Sequence, residues 1–154
     1  MQTTALGRDD AALMTPVFAK AEYDLTAGAG TDNTEQTCAT IDMQTDFDAV
    51  RFQSGTAVVT ATAALAADKT LIVSGIWEHS ENNSTWVEIG SDVTMLTLTG
   101  GAGGSTETGA AALGINLAEA NRYVRFKFLA DLSATGTDTA KVASAYVLTS
   151  PSKI

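Results

Sequence analysis

The chain has a single histidine, His79, which stands in the polar run His79-Ser80-Glu81-Asn82-Asn83-Ser84 directly after Glu78. An imidazole beside hydroxyls and carboxylates is the set of parts a nucleophilic relay needs, with the ring taking a proton from Ser or Cys. Any such relay in this chain would have to pass through His79. Its neighbours are turn formers, so the ring reads as a solvated residue at the end of a hairpin. Cys38 is also alone. It has no partner for an internal disulfide and no companion ligands for structural zinc. In the run TCATIDM it reads as a small buried hydrophobe.

Four further constellations invite chemistry. The segment Gly100-Gly101-Ala102-Gly103-Gly104-Ser105-Thr106 has the glycines of a phosphate cradle. A P-loop also needs a lysine after the glycines and a helix aimed at the phosphate, and neither follows. Oxygen ligands for calcium occur at Asp46 with Asp48, and at Glu78 with Glu81, Asn82 and Asn83. Neither group has the spacing of an EF-hand loop, and asparagine pairs are ordinary hairpin-turn residues. Asn82-Asn83-Ser84 and Asn83-Ser84-Thr85 match the glycosylation acceptor pattern, but no secretory leader is expected from MQTTALGRDD. Trp77 and Trp86 could stack on a sugar, although core packing is the commoner use of tryptophan. No catalytic, cofactor-binding or metal-ligating residue is assigned on this basis. The chain reads as a non-enzyme without a cofactor.

The elements that position these residues are strands. In Lys69 to Ile89 (KTLIVSGIWEHSENNSTWVEI), Leu71, Val73, Gly75 and Trp77 alternate with Ile72, Ser74, Ile76 and Glu78. A period of two means that successive side chains leave on opposite faces of an extended backbone. The polar run then turns the chain, and Thr85 to Ile89 returns, giving a hairpin with one tryptophan on each arm. A second ribbon is Asn121 to Leu132, where Tyr123, Arg125 and Lys127 oppose Val124, Phe126 and Phe128. Further strands are predicted over Val17–Leu25, Thr37–Met43, Phe47–Gln53, Thr56–Thr62, Val93–Leu98 and Ala140–Thr149. Ala63 to Asp68 suits either a short helix or a loop. Met1 to Pro16 reads as an arm, ended by Pro16. Thr99 to Gly114 reads as a long Gly-rich loop.

Turns rich in Gly, Ser, Thr, Asn and Asp, with almost no helical periodicity, predict an all-β fold. The expected architecture is a single antiparallel β-sandwich or barrel over residues 17–150. An N-terminal arm (1–16) and a short C-terminal tail (151–154) flank it. With 154 residues, 45% of them hydrophobic, the chain can bury a core without metals or disulfides. Its 18 acidic and 9 basic residues leave a net charge of -9. Nucleic-acid binders cluster Lys and Arg against phosphates, so this charge argues against nucleic acid as a partner, and against an acidic membrane surface. No stretch approaches the roughly 20 apolar residues of a membrane-spanning helix. The acidity suits either a soluble protein that avoids indiscriminate association or one that docks on a basic protein surface.

Ile76 to Ser80, the turn Glu81 to Asn83, Ser84 to Trp86 and the later strand Arg122 to Arg125 together resemble small structural proteins of tailed-bacteriophage heads. Asp46 to Ala57 (DFDAVRFQSGTA) resembles the strand and turn upstream in such proteins. The resemblance covers about two-thirds of the chain, Asp46 to Leu148. It implies a jelly-roll-like β-sandwich that decorates and cements a capsid surface, with the major capsid protein as partner and homo-oligomers on the particle. It also implies synthesis in the host cytoplasm. The Gly-rich insertion after Leu98 departs from that pattern, so no contact residue carries over. The competing expectation is a carbohydrate-binding or adhesive module of a tail or fibre, using Trp77 or Trp86.

Overall fold

The computed structural model describes residues 13–46, 52–134 and 136–149. Among the described residues nine strands run in order: β1 Met14–Thr26, β2 Gln36–Thr37, β3 Ile41–Asp42, β4 Ser54–Leu65, β5 Thr70–Ser80, β6 Val87–Thr99, β7 Ser105–Asn116, β8 Tyr123–Leu132 and β9 Thr139–Thr149. They form two sheets. One has the order β1-β9-β4-β7; the other has β2-β8-β5-β6, with β3 also paired to β8. All the ladders are antiparallel. The antiparallel sandwich expected from the alternation is the fold that forms.

The two ribbons singled out in the sequence are neighbours in one sheet. Trp77 pairs with Phe126 and Glu78 with Arg125 across β5 and β8. Along β8 every second residue is buried, from Val124 through Phe126 and Phe128 to Leu132, as the period of two requires. Few aromatics means that each carries a large share of the core. Trp77 lies 5.5 Å from Phe126 and 5.3 Å from Tyr146, and Phe126 lies 6.0 Å from Phe128, between ring centroids. The opposing face of β4 offers Ala57, Val59, Ala61 and Ala63, all buried. These small residues leave room for the rings of the other sheet.

Two polar pins cross the sandwich. The Trp77 indole N–H donates to the Leu113 carbonyl at 3.0 Å. The Tyr146 hydroxyl donates to the Ala39 carbonyl at 2.8 Å and accepts the Phe126 amide at 3.0 Å. Buried donors and acceptors without partners are costly, so each pin fixes how the sheets face one another.

Several expectations are corrected. The segment Thr99–Gly114 is not a long loop, because only the stretch from Gly100 to Gly104 turns and Ser105–Asn116 is strand β7. Its small residues have a packing reason. A Cβ at Gly109 would come within 2.8 Å of Leu96 and 2.9 Å of Leu98, so the strand tolerates little bulk beneath β6. Ala63 to Asp68 forms no helix: β4 continues through Leu65, and the chain then turns with Asp68 at φ 61°. That turn is held by the buried Asp138 carboxylate, which accepts the Ala66 amide at 3.1 Å. The return arm of the hairpin and Val93–Leu98 are one strand, β6, kinked where Gly90 takes φ 87°. Register shifts between Val73 and Ser74, and between Gly75 and Trp77, absorb the extra residues as bulges. Met14, Thr15 and Pro16 belong to β1, paired with Thr149, Leu148 and Val147. Residues 1–12 of the expected arm, most of the strand expected from Phe47, and the tail (151–154) lie outside the described residues.

Candidate interaction surfaces

The outer face of β5 and β8 carries a compact ionic cluster. Cross-strand pairing sets Glu78 opposite Arg125, and its carboxylate receives Arg125 Nε at 2.7 Å and Lys127 Nζ at 2.9 Å. Lys127 also reaches Glu35 at 3.0 Å and Glu88 at 3.7 Å. The Glu78 side chain is 7% exposed and that of Lys127 11%, so this is a nearly dry cluster on a sheet face. Burial alone would raise the Glu78 carboxyl. The hydrogen bonds and charges of Lys127 and Arg125 outweigh it and hold the group below its ordinary value. Burial likewise opposes the charge on Lys127, yet Glu78 and Glu35 hold its pKa above the usual value.

Trp86 completes this face. The Arg125 guanidinium sits 3.9 Å from its ring centre, a cation–π contact from the same side chain that grips Glu78. A second ionic link lies at the β3 end, where Arg122 meets Asp42 through Nε at 2.9 Å and Nη2 at 2.7 Å. The hydrogen bond from Arg122 holds the Asp42 carboxyl well below the usual carboxylate range. Such bidentate pairs fix geometry as well as charge.

A cleft of about 490 Å³ opens between β6 and β7, lined in part by Trp77, His79, Ile89, Leu113 and Glu119. His79 is held there as a backbone acceptor, its Nδ1 receiving the Asn121 amide at 3.2 Å. That nitrogen is therefore occupied by a structural bond rather than poised over a nucleophile. Asn82 is also committed: its side-chain oxygen caps the amides of Ser84 at 2.9 Å and Thr85 at 2.8 Å, while Asn83 takes φ 57°. This is the turn chemistry expected of the pair. Asp46 accepts the Asp42 amide at 2.8 Å, and Asp48 lies outside the described residues. Among the described residues no group of three or more His, Cys, Asp or Glu side chains is placed to hold a metal ion. Cys38 is buried, and burial pushes its thiol up to about 11, so it is a neutral core residue at physiological pH.

The two tryptophans divide as core and surface. Trp77 is 2% exposed, with its N–H spent on Leu113, so it presents no stacking face. Trp86 is half-buried under Arg125. Acrylamide quenching of intrinsic fluorescence is therefore expected to resolve two populations, one blue-shifted and protected, one accessible. Trp86→Phe should remove the accessible population and Trp77→Phe the protected one. Two equally protected tryptophans would contradict this placement.

Sequence reasoning missed the burial of Glu78. The available signal was that Glu78, Arg125 and Lys127 all fall on the outward face of ribbons whose other faces are apolar. Pairing register, which brings them together, is not written in either ribbon alone.

No protein-family model matches the chain, and no curated protein matches it. Among solved structures, the chain is similar to a structure of infectious bursal disease virus, Gt strain. That match has 12% identity and a TM-score of 0.48, and it covers 88% of this chain and 32% of the other. It is also similar to a point-mutant VP2 protein of the same virus, from derived T=1 particles. There the identity is 10% and the TM-score 0.43, with 88% of this chain and 31% of that chain covered. The chain spans about a third of the length of both.

Proposed function

We propose that this chain is a non-enzymatic structural protein of a virion, a decoration or cement protein that seats on the outer lattice of a tailed-phage head and reinforces it. One observation carries the reading: the residues behind the phage-head resemblance bond to one another. Glu78 from the first motif, Trp86 from the third and Arg125 from the last meet in one cluster, through an ion pair and a cation–π contact. The segments that carry the resemblance thus form one structural unit, which supports the reading.

Electrostatics supports docking on a protein. Arg122, Arg125, Lys127 and Lys141 are each held in ion pairs, whereas Asp68, Glu81, Asp92 and Glu119 stand exposed. The presented surface is therefore acidic, which suits a basic partner surface and steers association. The partner in this reading is the major capsid protein, met by several copies of this chain after synthesis in the host cytoplasm. Reinforcement comes from repetition: an interface of roughly 1,200–2,000 Å², repeated over a shell, adds buried area at each seam. A sugar-binding role on a tail or fibre retains only Trp86 as a platform, with Arg125 stacked on the ring.

The test is thermal. Purified chain added to capsid shells that lack it should raise their melting temperature, while an equal concentration of an unrelated acidic protein should not. Shells that melt at the same temperature with and without the chain would remove the reading.

A further inference from the structure

The outer face of the sheet β1-β9-β4-β7 differs sharply from the ionic face of the other sheet. Over most of its length it carries no charge. Ladder pairings align Phe18, Ala145, Val58 and Ala112 in one row across the four strands, and Pro16, Val147, Thr56 and Gly114 in the next. Phe18 is 67% exposed and Met14 is 49% exposed, the first among the most exposed large apolar side chains described. Charges on this face gather at one end, where Lys141 pairs with Glu22 at 2.9 Å and Asp24 at 3.4 Å. In a chain of net charge -9, a broad uncharged sheet face asks for an explanation.

From this geometry we infer that the face is the contact between two copies of this chain, related by a two-fold axis parallel to the strands. Such an axis turns one sheet over the other and lays β1 of each copy across β7 of its mate, because β1 and β7 are the opposite edges. It keeps each residue at its own level along the strands. Phe18 therefore falls over Ala112 of the second copy, and Pro16 over Gly114. The bulky edge meets the edge of small residues, both ways at once, which is the self-complementarity that a two-fold contact requires. Charge selects the same face. Two chains of this net charge repel wherever their carboxylates meet, and this is the sheet surface on which few do.

The extent is also sufficient. Four strands spaced about 4.8 Å apart, over about ten residues at about 3.4 Å each, make a face of roughly 650 Å². That is comparable with the roughly 800 Å² per partner of a standard stable interface. Sheets stacked in this way pack about 10 Å apart with their strands nearly aligned.

Sedimentation equilibrium of the full chain at tens of micromolar tests the inference. The wild type should self-associate, and F18K and A112E should each weaken association by at least about tenfold. An equimolar mixture of the two variants should recover it. In the mixed pair one contact sets the introduced charges opposite each other, and the other is the original Phe18–Ala112 contact. Both sites are exposed, so unchanged circular dichroism confirms that each variant folds. A monomeric wild type, including one that binds capsid shells, overturns the inference. So does association that neither substitution loosens, or variants that fail to recover it when mixed. The proposed capsid role is read from shell melting and stands or falls separately.

Discussion

Glu78→Ala is expected to destabilise the fold by about 3 kcal/mol, measured as a lower urea midpoint at unchanged slope. The loss comes less from the pair itself than from what it leaves behind. Lys127 and Arg125 would remain on the sheet with side chains 11% and 22% exposed, facing one another across the gap. Glu35 and Glu88 are more than half exposed and too solvated to replace the missing carboxylate. Glu78→Gln keeps the shape and some hydrogen bonding but not the charge, so its loss should be smaller. The same cluster sets an acid limit. Because the Glu78 pKa is lowered in the fold, the unfolded chain binds the proton more readily. The stabilisation is complete above the ordinary value of 4.5 and is lost as pH falls through the folded value. Asp42 contributes with the same sign. Stability should therefore fall below about pH 4.5, and less steeply in Glu78→Gln. A wild type equally stable at pH 3 and pH 7 would contradict the cluster.

Gly75→Val should cost as much, about 3 kcal/mol, by a different route. A Cβ at this position would stand 2.2 Å and 2.7 Å from the Phe126 ring and 3.1 Å from the Lys127 carbonyl. Phe126 is fully buried, stacked on Phe128 and tilted against Trp77, so it has nowhere to go. Glycine in a strand is otherwise unfavourable by roughly 0.5–1 kcal/mol relative to alanine, and the close approach of the ring is why it is kept here. Shrinking the ring should relieve the clash. Phe126→Leu is damaging on its own, but in the Gly75→Val background it should cost less, or even restore stability. Strictly additive losses in the double variant would show that the two positions do not touch.

Legibility in the sequence followed how far each signal is local. The strands β5 and β8 were readable because one face of each is apolar and the other polar, and burial follows that alternation residue by residue. Trp77 was readable as core for the same reason, and Cys38 because a cysteine without partners packs as a small hydrophobe. Strand β7 was not. Its inward positions are Gly109, Ala111 and Leu113, kept small beneath Leu96 and Leu98 of β6, so its alternation lacks contrast and reads as loop. The alanines from Ala63 onward favour a helix in isolation, but their partners in β7 and β9 hold them extended, a case of tertiary pairing overriding propensity. The candidate surfaces were the least readable part. Both the ionic cluster and the uncharged face exist only once register has lined up residues far apart in the chain.

The proposed role of this sandwich is to dock on a capsid lattice. Its most direct measurement is the number of copies retained per shell when capsids lacking the chain are saturated with it, counted by densitometry after sedimentation. The account predicts saturation at one fixed copy number set by the lattice, unchanged by further excess of protein. Shells that retain none, or that take up protein without limit, would contradict it.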